Sequence, residues 1–224
     1  MITVLVPLYN GIEFLEECLL SVRAQIFTEW TCIVGVNGHG PGGGPIMTRA
    51  ISIVGSLEDP RFKVVNLPHV KGVAEATNAL LDMTTTEWVA LLDSDDKWHP
   101  MKLHCQVSSL RETPADIIGT LTTYFGDFTG SPQTANGYVP EELFHTMNPI
   151  ANSSVLLRKE IAYLTNEFVT QDYDCWIRNL LAGKKFYNVP LQLLYHRIHP
   201  TSNFNSPGGG QRPDLVRQKY FGHL

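Results

Sequence analysis

Nowhere in the chain does an apolar run approach the roughly 20 residues that a membrane-spanning helix needs. The amino terminus also lacks the basic stretch and small-residue cleavage site of a secretory leader, and begins directly with Ile2-Thr3-Val4-Leu5-Val6. Cysteine is scarce and unpatterned: the four stand at 18, 32, 105 and 175, with no Cys-x-x-Cys pair. That spacing argues against a disulfide framework and for small buried thiols in a reducing compartment, so a cytoplasmic location is expected. On the same ground Asn152-Ser153-Ser154 is read as a chance glycosylation sequon. Positive charge is in deficit, with 17 Lys and Arg against 22 Asp and Glu and a net charge of -5. Nucleic acid and anionic membrane both reward basic surfaces, so neither is expected as the main partner. The glycine-rich loop from Gly38 to Gly44 lacks the Gly-Lys-Ser/Thr of a P-loop and reads as a flexible turn. No internal repeat and no linker stands out.

What remains is ordinary globular composition, 43% hydrophobic and 17% charged, in 224 residues. A chain of that length can bury a sizeable core as one domain. Ile2 to Val6 reads as a buried strand, followed by a helix with Asn10 as N-cap, Glu13 at N3, and Ile12, Leu15, Leu19, Val22 and Ile26 along one face. Thr31–Val36 is a second strand, 46–55 a helix, Lys63–Asn66 a third strand and Val73–Leu81 a third helix. Glu87–Leu92 is a fourth strand that runs into Asp93. Strand and helix therefore alternate three times in the first 95 residues, which predicts an α/β fold with a mainly parallel sheet covered on both faces. Ligands of such sheets bind at the carboxyl ends of the strands, where Pro7–Asn10, Val36–His39 and Asp93–Asp96 all fall.

The second half is less regular. A helix is expected over Met101–Arg111, an extended segment over Asp116–Phe125, and a loop over 126–139. A strand is expected at Asn152–Leu157, a helix at Asp172–Leu181, and two short strands at Phe186–Val189 and Leu193–Ile198. Pro207-Gly208-Gly209-Gly210 and the residues after it read as a flexible tail.

Asp93, Asp95 and Asp96 crowd three carboxylates into four residues. In an extended segment Asp93 and Asp95 would point one way and Ser94 the other. Clustered anions are best tolerated with a cation between them, and Mg²⁺ or Mn²⁺ typically bridges one or two carboxylates to substrate phosphates. An Asp-rich turn capping the next helix is the alternative for the triplet alone. The same alternative, a helix cap, stands beside any catalytic reading of Asp172. Tyr9, Tyr173 and Trp176 are expected as packing residues. His99, His104, His145 and His196 share no ligand spacing and are expected at the surface or satisfied by polar neighbours.

Four stretches in order resemble family 2 glycosyltransferases of the GT-A fold, an αβα sandwich: VPLYNGIEFLEECLLSVRAQ (6–25), DPRFKVVNLPHVKGVAEATNALL (59–81), WVALLDSDDKWHPMKL (88–103) and QDYDCWIRNLLAG (171–183). The resemblance implies one glycosyltransferase domain over 1–224, with a nucleotide-sugar half (1–97), an acceptor half (98–205) and a tail (206–224). It places Pro7, Tyr9, Asn10, Lys71, Gly72 and Asn78 around the donor nucleotide. Asp93 and Ser94 belong to the DxD motif, with Asp93 near the ribose and base and Asp95 on the metal that carries the diphosphate. Asp172 is then the general base, and His199 a carboxyl-terminal metal or phosphate contact. The implied cofactor is Mn²⁺ or Mg²⁺. The implied partners are a nucleotide-diphosphate sugar, with UDP favoured, and a glycan or glycoconjugate acceptor. Three positions depart from the family pattern: Val36-Asn37-Gly38-His39 stands for its Asp-Asp-Gly-Ser, Thr77 for an arginine, and Gln171 for a glutamate. Asn37 would then take over the base contact. A sugar nucleotidyltransferase, or a sugar-nucleotide-binding module without catalysis, are the other readings. The first would want a basic glycine-rich signature, which Leu8-Tyr9-Asn10-Gly11 does not provide.

Overall fold

A computed structural model describes residues 1–202 and 212–222. In chain order the elements are β1 (Ile2–Leu8), α1 (Leu15–Arg23), β2 (Trp30–Asn37), α2 (Gly44–Ser56), β3 (Phe62–Leu67), α3 (Val73–Met83) and β4 (Trp88–Leu91). Then follow β5 (Lys97–Trp98), α4 (Lys102–Glu112), β6 (Ile117–Gly126), β7 (Gly137–Tyr138), α5 (Glu141–Phe144), β8 (Leu156–Arg158), α6 (Gln171–Leu181), β9 (Phe186–Ile198) and α7 (Pro213–Phe221).

The strands form one sheet in the order β3-β2-β1-β4-β8-β6-β9-β5, with β7 on the side of β9. β3, β2, β1 and β4 are mutually parallel, as three successive strand-helix units require. β8 enters antiparallel to both β4 and β6, and β9 then runs parallel to β6. The sheet is mostly parallel, and its inner strands are buried on both faces. Val4, Val6 and Leu8 of β1 pack with Leu15, Leu19 and Val22 of α1 and Leu103 of α4. Leu5 points the other way, towards Leu80 and Leu81 of α3 and Tyr173 and Trp176 of α6. The strand order reverses between β1 and β4, and the carboxyl ends of strands at such a switch point are where ligands of open α/β sheets bind.

Several local expectations are corrected. Asn10 does not cap α1: it is exposed, and residues 11–14 make a separate turn in which the Phe14 N–H donates to the Gly11 carbonyl at 3.0 Å. Gly11 allows that turn with a φ of +80°. The strand expected at Asn152–Leu157 is instead a 3-10 turn over Asn152–Ser154, followed by β8. Ser154 Oγ donates back to the Ala151 carbonyl at 2.7 Å, a local side-chain bond that competes with strand pairing. The two short strands near the end are one, β9, and its register against β6 slips between Thr120 and Thr122, opposite the stretch that contains Pro190. Proline cannot donate to a ladder, and the bulge absorbs it.

Within the expected loop 126–139, Gly137–Tyr138 pair with β9. The expected tail is also revised. Pro213–Phe221 form α7, with proline in the first turn, Val216 fully buried, and Tyr220 Oη donating to Asp174 at 2.6 Å. Residues 207–210 lie outside the described residues. All four cysteines are free, three of them buried. Among the described residues no helix is long and apolar enough to cross a membrane.

Candidate functional site

The site is built where β4 ends. Leu92 N–H still donates to the Leu5 carbonyl at 3.1 Å, and the chain then turns sharply, with Asp96 N–H reaching the Asp93 carbonyl at 3.1 Å. Asp93–Asp96 is therefore a turn and not an extended segment, so the expected alternation does not apply. Each of its carboxylates finds different partners.

Asp93 is recessed under the 3-10 turn. Asn152 Nδ2 donates to its Oδ1 at 3.0 Å, and its own N–H donates to Ser153 Oγ at 3.0 Å. Burial, and then the charges of Asp96 and Asp95, push its carboxyl up to about 7. Ser94 is buried in the turn. Asp95 Oδ2 lies 2.9 Å from His199 Nε2, and its pKa is raised by burial and by Asp96. Asp96 is almost fully buried and is spent on structure: Oδ1 accepts the Arg197 N–H at 2.8 Å and Oδ2 lies 3.1 Å from His196 Nδ1.

His196 is satisfied by a polar neighbour, the second of the two alternatives expected for it, and that neighbour is Asp96 of the acidic turn. Burial works against its charge, but Asp96, with Asp93 and Asp95, overcomes this and raises its pKa to about 9. Arg197, overlooked in the sequence, donates from Nε to the Asp95 carbonyl at 2.9 Å, and its guanidinium lies between the rings of Phe14 and Phe125. Both residues come from the end of β9, about 100 positions away from the acidic turn, so no local spacing could reveal them.

Asp172 stands in the first turn of α6, where helix N–H groups favour an anion. Asn148 Nδ2 donates to its Oδ2 at 2.7 Å. Burial raises its pKa, against the opposing effect of backbone N–H groups and Asn148. The charge of His196 acts on both Asp93 and Asp172, which ties α6 to the acidic turn. Tyr173 and Trp176, on the same helix, are fully buried packing residues as expected.

The expected donor residues separate into two groups. Pro7 is half-buried in β1 opposite Gly35. Tyr9 is 55% exposed, contrary to the packing role expected, and stacks on His39 with ring centroids 5.0 Å apart. His39 Nε2 also lies 2.6 Å from the Tyr9 carbonyl, and Asn66 Nδ2 donates to the Pro41 carbonyl at 2.7 Å, so the glycine-rich loop is tied at two points. Asn37 is buried at the end of β2, and its Nδ2 has no hydrogen-bond partner among the described residues. Asn10 and Lys71 are exposed. Asn78 is used differently: its Nδ2 donates to the Leu164 carbonyl at 2.8 Å and its Oδ1 accepts the Leu164 N–H at 2.9 Å. Its amide braces the segment before α6.

Among the described residues no group of three His, Cys, Asp or Glu side chains is arranged for a metal ion. Asp95 and His199 are two such groups, and an ion of the Mg²⁺ or Mn²⁺ type often takes only one or two protein ligands, with substrate phosphates completing the shell. The raised Asp95, crowded by Asp96, is the kind of carboxylate that a cation would relieve.

The profile of glycosyl transferase family 2 matches residues 3–173. The chain is 32% identical over 205 residues to a putative teichuronic acid biosynthesis glycosyltransferase, TuaG, of Bacillus subtilis, covering 88% of this chain and 79% of that protein. It is 25% identical over 174 residues to WfaP of Escherichia coli, a UDP-Glc:alpha-D-GlcNAc-diphosphoundecaprenol beta-1,3-glucosyltransferase, covering 74% of this chain and 66% of the other. Staphylococcus aureus TarS, solved in complex with UDP-GlcNAc, shares the fold with a TM-score of 0.74 at 16% identity, over 98% of this chain and 71% of TarS. The mannosyltransferase PcManGT of Pyrobaculum calidifontis, in complex with GDP-Man and Mn²⁺, gives 0.68 at 15% identity, over 98% and 61%. The chain belongs to glycosyltransferase family 2 and is a glycosyltransferase of the GT-A fold.

Proposed function

We propose that this enzyme is a divalent-metal-dependent, inverting glycosyltransferase that moves a sugar from a nucleotide-diphosphate donor, UDP-sugar by preference, to a hydroxyl of a glycan or glycoconjugate. The observation that carries the reading is the division of labour among carboxylates: Asp95 faces His199 at the end of β4, while Asp172 stands apart on α6 with neutral hydrogen-bond donors on it among the described residues.

Asp95 and His199 would hold the ion, which when bound supplies Lewis-acid neutralisation of the diphosphate. Asp93, Ser94 and the rim residues Pro7, Tyr9, Asn10 and Lys71 would bind the nucleotide, and Asn37 would turn its unpaired Nδ2 to the base. Uracil offers a carbonyl acceptor beside an N–H donor, which an amide can meet with both of its ends. Asp172 takes the proton of the acceptor hydroxyl. The hydroxyl oxygen forms its bond to the anomeric carbon as the bond to the diphosphate breaks, and the electron pair leaves with the nucleotide. Attack from the face opposite the diphosphate inverts that carbon. Asn78 supports the site indirectly through Leu164. The free thiols fit the cytoplasmic location proposed here.

The test is release of nucleoside diphosphate from a panel of UDP-, GDP- and dTDP-sugars with Mn²⁺ or with EDTA. Turnover of UDP-sugars that EDTA abolishes is the expected result. Turnover unaffected by EDTA would refute the metal, and a preference for GDP or dTDP would refute the nucleotide. The nucleotidyltransferase reading would instead need consumption of a nucleoside triphosphate. A binding module would hold donor without turnover.

A further inference from the structure

Residues 148–154 run between the two halves of the site and touch the carboxylates on each side, through Asn148 on Asp172 and through Asn152 and Ser153 on Asp93. We propose that Asn148 is a positioning residue that aims the Asp172 carboxylate, a role that rests on the reading of Asp172 as base.

The orientation of the amide is fixed by its other end. Asn148 Oδ1 accepts the Ile150 N–H at 3.3 Å, which leaves Nδ2 to face Asp172 Oδ2 at 2.7 Å. The backbone on either side is held by three elements. The Phe144 carbonyl accepts from Tyr173 Oη and the Ile150 carbonyl from Trp176 Nε1 at 3.1 Å, both on α6. The Pro149 carbonyl accepts from Asn188 Nδ2 of β9 at 3.2 Å, and the Thr146 carbonyl from Arg217 Nη1 of α7 at 3.0 Å. A short loop tied at 144, 146, 149 and 150 cannot drift, so neither can the amide it carries.

The chemistry suits a base. The bond to Oδ2, with the backbone N–H groups of the first turn of α6, restrains the carboxylate, whose remaining lone pairs can receive a proton. Donation to the charged form lowers the pKa that burial raises, yet an amide brings no charge of its own. A lysine or arginine in its place would hold the carboxylate equally well but pull its basicity down much further. The other ionisable groups around Asp172 are His196 of β9 and, on its own helix, Asp174 and Cys175. His196 is the one that lowers the Asp172 pKa by its charge.

The test compares Asn148→Ala and the milder Asn148→Ser with wild type, using UDP-glucose and Mn²⁺ with water as acceptor, and the ¹³C resonance of the Asp172 carboxyl, assigned by its loss in Asp172→Asn. The expected result is a roughly 10–100-fold lower kcat with little change in donor KM, as a small misplacement of a catalytic group produces. The Asp172 carboxyl should titrate at a higher pH, and adding Asn148→Ala to Asp172→Asn should cost nothing more. An unmoved carboxyl titration, or an equal loss of turnover in the Asp172→Asn background, would overturn the proposal. Full turnover by Asp172→Asn alone would remove the base reading itself, whereas a dead Asp172→Asn beside an unimpaired Asn148→Ala would leave the base standing and refute only its positioning.

Discussion

With Asp172 as the proposed base, Asp172→Asn should separate base catalysis from donor binding. The replacement is isosteric, and an asparagine at 172 can still present its carbonyl oxygen to Asn148 Nδ2, now 2.7 Å from Asp172 Oδ2. The helix and the loop should therefore keep their shape. What changes is the other atom of the group, which becomes an N–H donor facing the acceptor hydroxyl where an oxygen once accepted its proton. General-base catalysis is worth about 10²- to 10⁴-fold, so the barrier should rise by roughly 2.7–5.4 kcal/mol. Donor affinity, which the proposed site assigns to the ends of β1 and β2 and the acidic turn, should stay within about 0.7 kcal/mol, roughly threefold. Calorimetric titration of donor, with steady-state release of nucleoside diphosphate, measures both. In the wild type, activity should fall as pH drops through the Asp172 pKa, because only the ionised carboxylate accepts the proton. Burial raises that pKa, so the acid limb should lie above the ordinary aspartate value of about 3.9. Equal losses in affinity and turnover, or an acid limb at or below the ordinary value, would refute the assignment.

Asp95→Asn should weaken Mn²⁺ binding at least about 10-fold by calorimetry, while Asp96→Asn should act mainly on stability by loosening the end of β9; equal metal affinity in wild type and Asp95→Asn would count against the site. Asp174, fully buried, receives hydrogen bonds from Tyr220 Oη, Arg178 Nε and Thr165 Oγ1, which together outweigh burial and lower its pKa. Its stabilisation should be present above the unfolded value of about 3.9 and be lost as pH falls through the lowered folded value. Asp174→Asn should cost about 3 kcal/mol and lower Tm by about 6–12 °C at neutral pH, and an unchanged Tm would show that α7 is not held through this group. Lys102 is fully buried, with Nζ donating to Gln106 Oε1 at 2.9 Å over the Trp98 ring, and burial drives its pKa well down. The unfolded chain binds the proton that the folded chain releases, so stability should rise with pH by up to about 1.4 kcal/mol per unit below the unfolded value of about 10.4. Chemical denaturation of Lys102→Met should show that rise flattened, and a slope equal to wild type would mean the buried amine stays charged.

Much of the architecture could be read from the chain because it rests on local periodicity. The apolar runs of β1, β2 and β4 and the 3.6-residue spacings of α1 and α3 each lie within about a dozen neighbouring residues, and their alternation implies the parallel sheet. Position at strand ends likewise singled out the segments Val36–His39 and Asp93–Asp96. Local pattern failed where a long-range partner decided the outcome. The polar 152–154 segment folds into a turn because its side chains bond to nearby backbone and to Asp93, 59 positions away. Pro190 leaves β9 whole because β6 accommodates a bulge there. The residues expected as a tail include a helix because Asp174 and the packing around Val216 receive it. His196 and Arg197 look like surface residues until β9 lies against the acidic turn, where the carboxylates of Asp96, Asp93 and Asp95 favour the charge of His196 and the Asp95 carbonyl accepts from Arg197. The sequence by itself determined which acids stand at the end of a buried strand. Only the tertiary structure decided that Asp95 meets His199, that Asp96 is spent on His196 and the Arg197 backbone, and that Asp93 is left with neutral donors, because electrostatic character depends on neighbours and not on order along the chain.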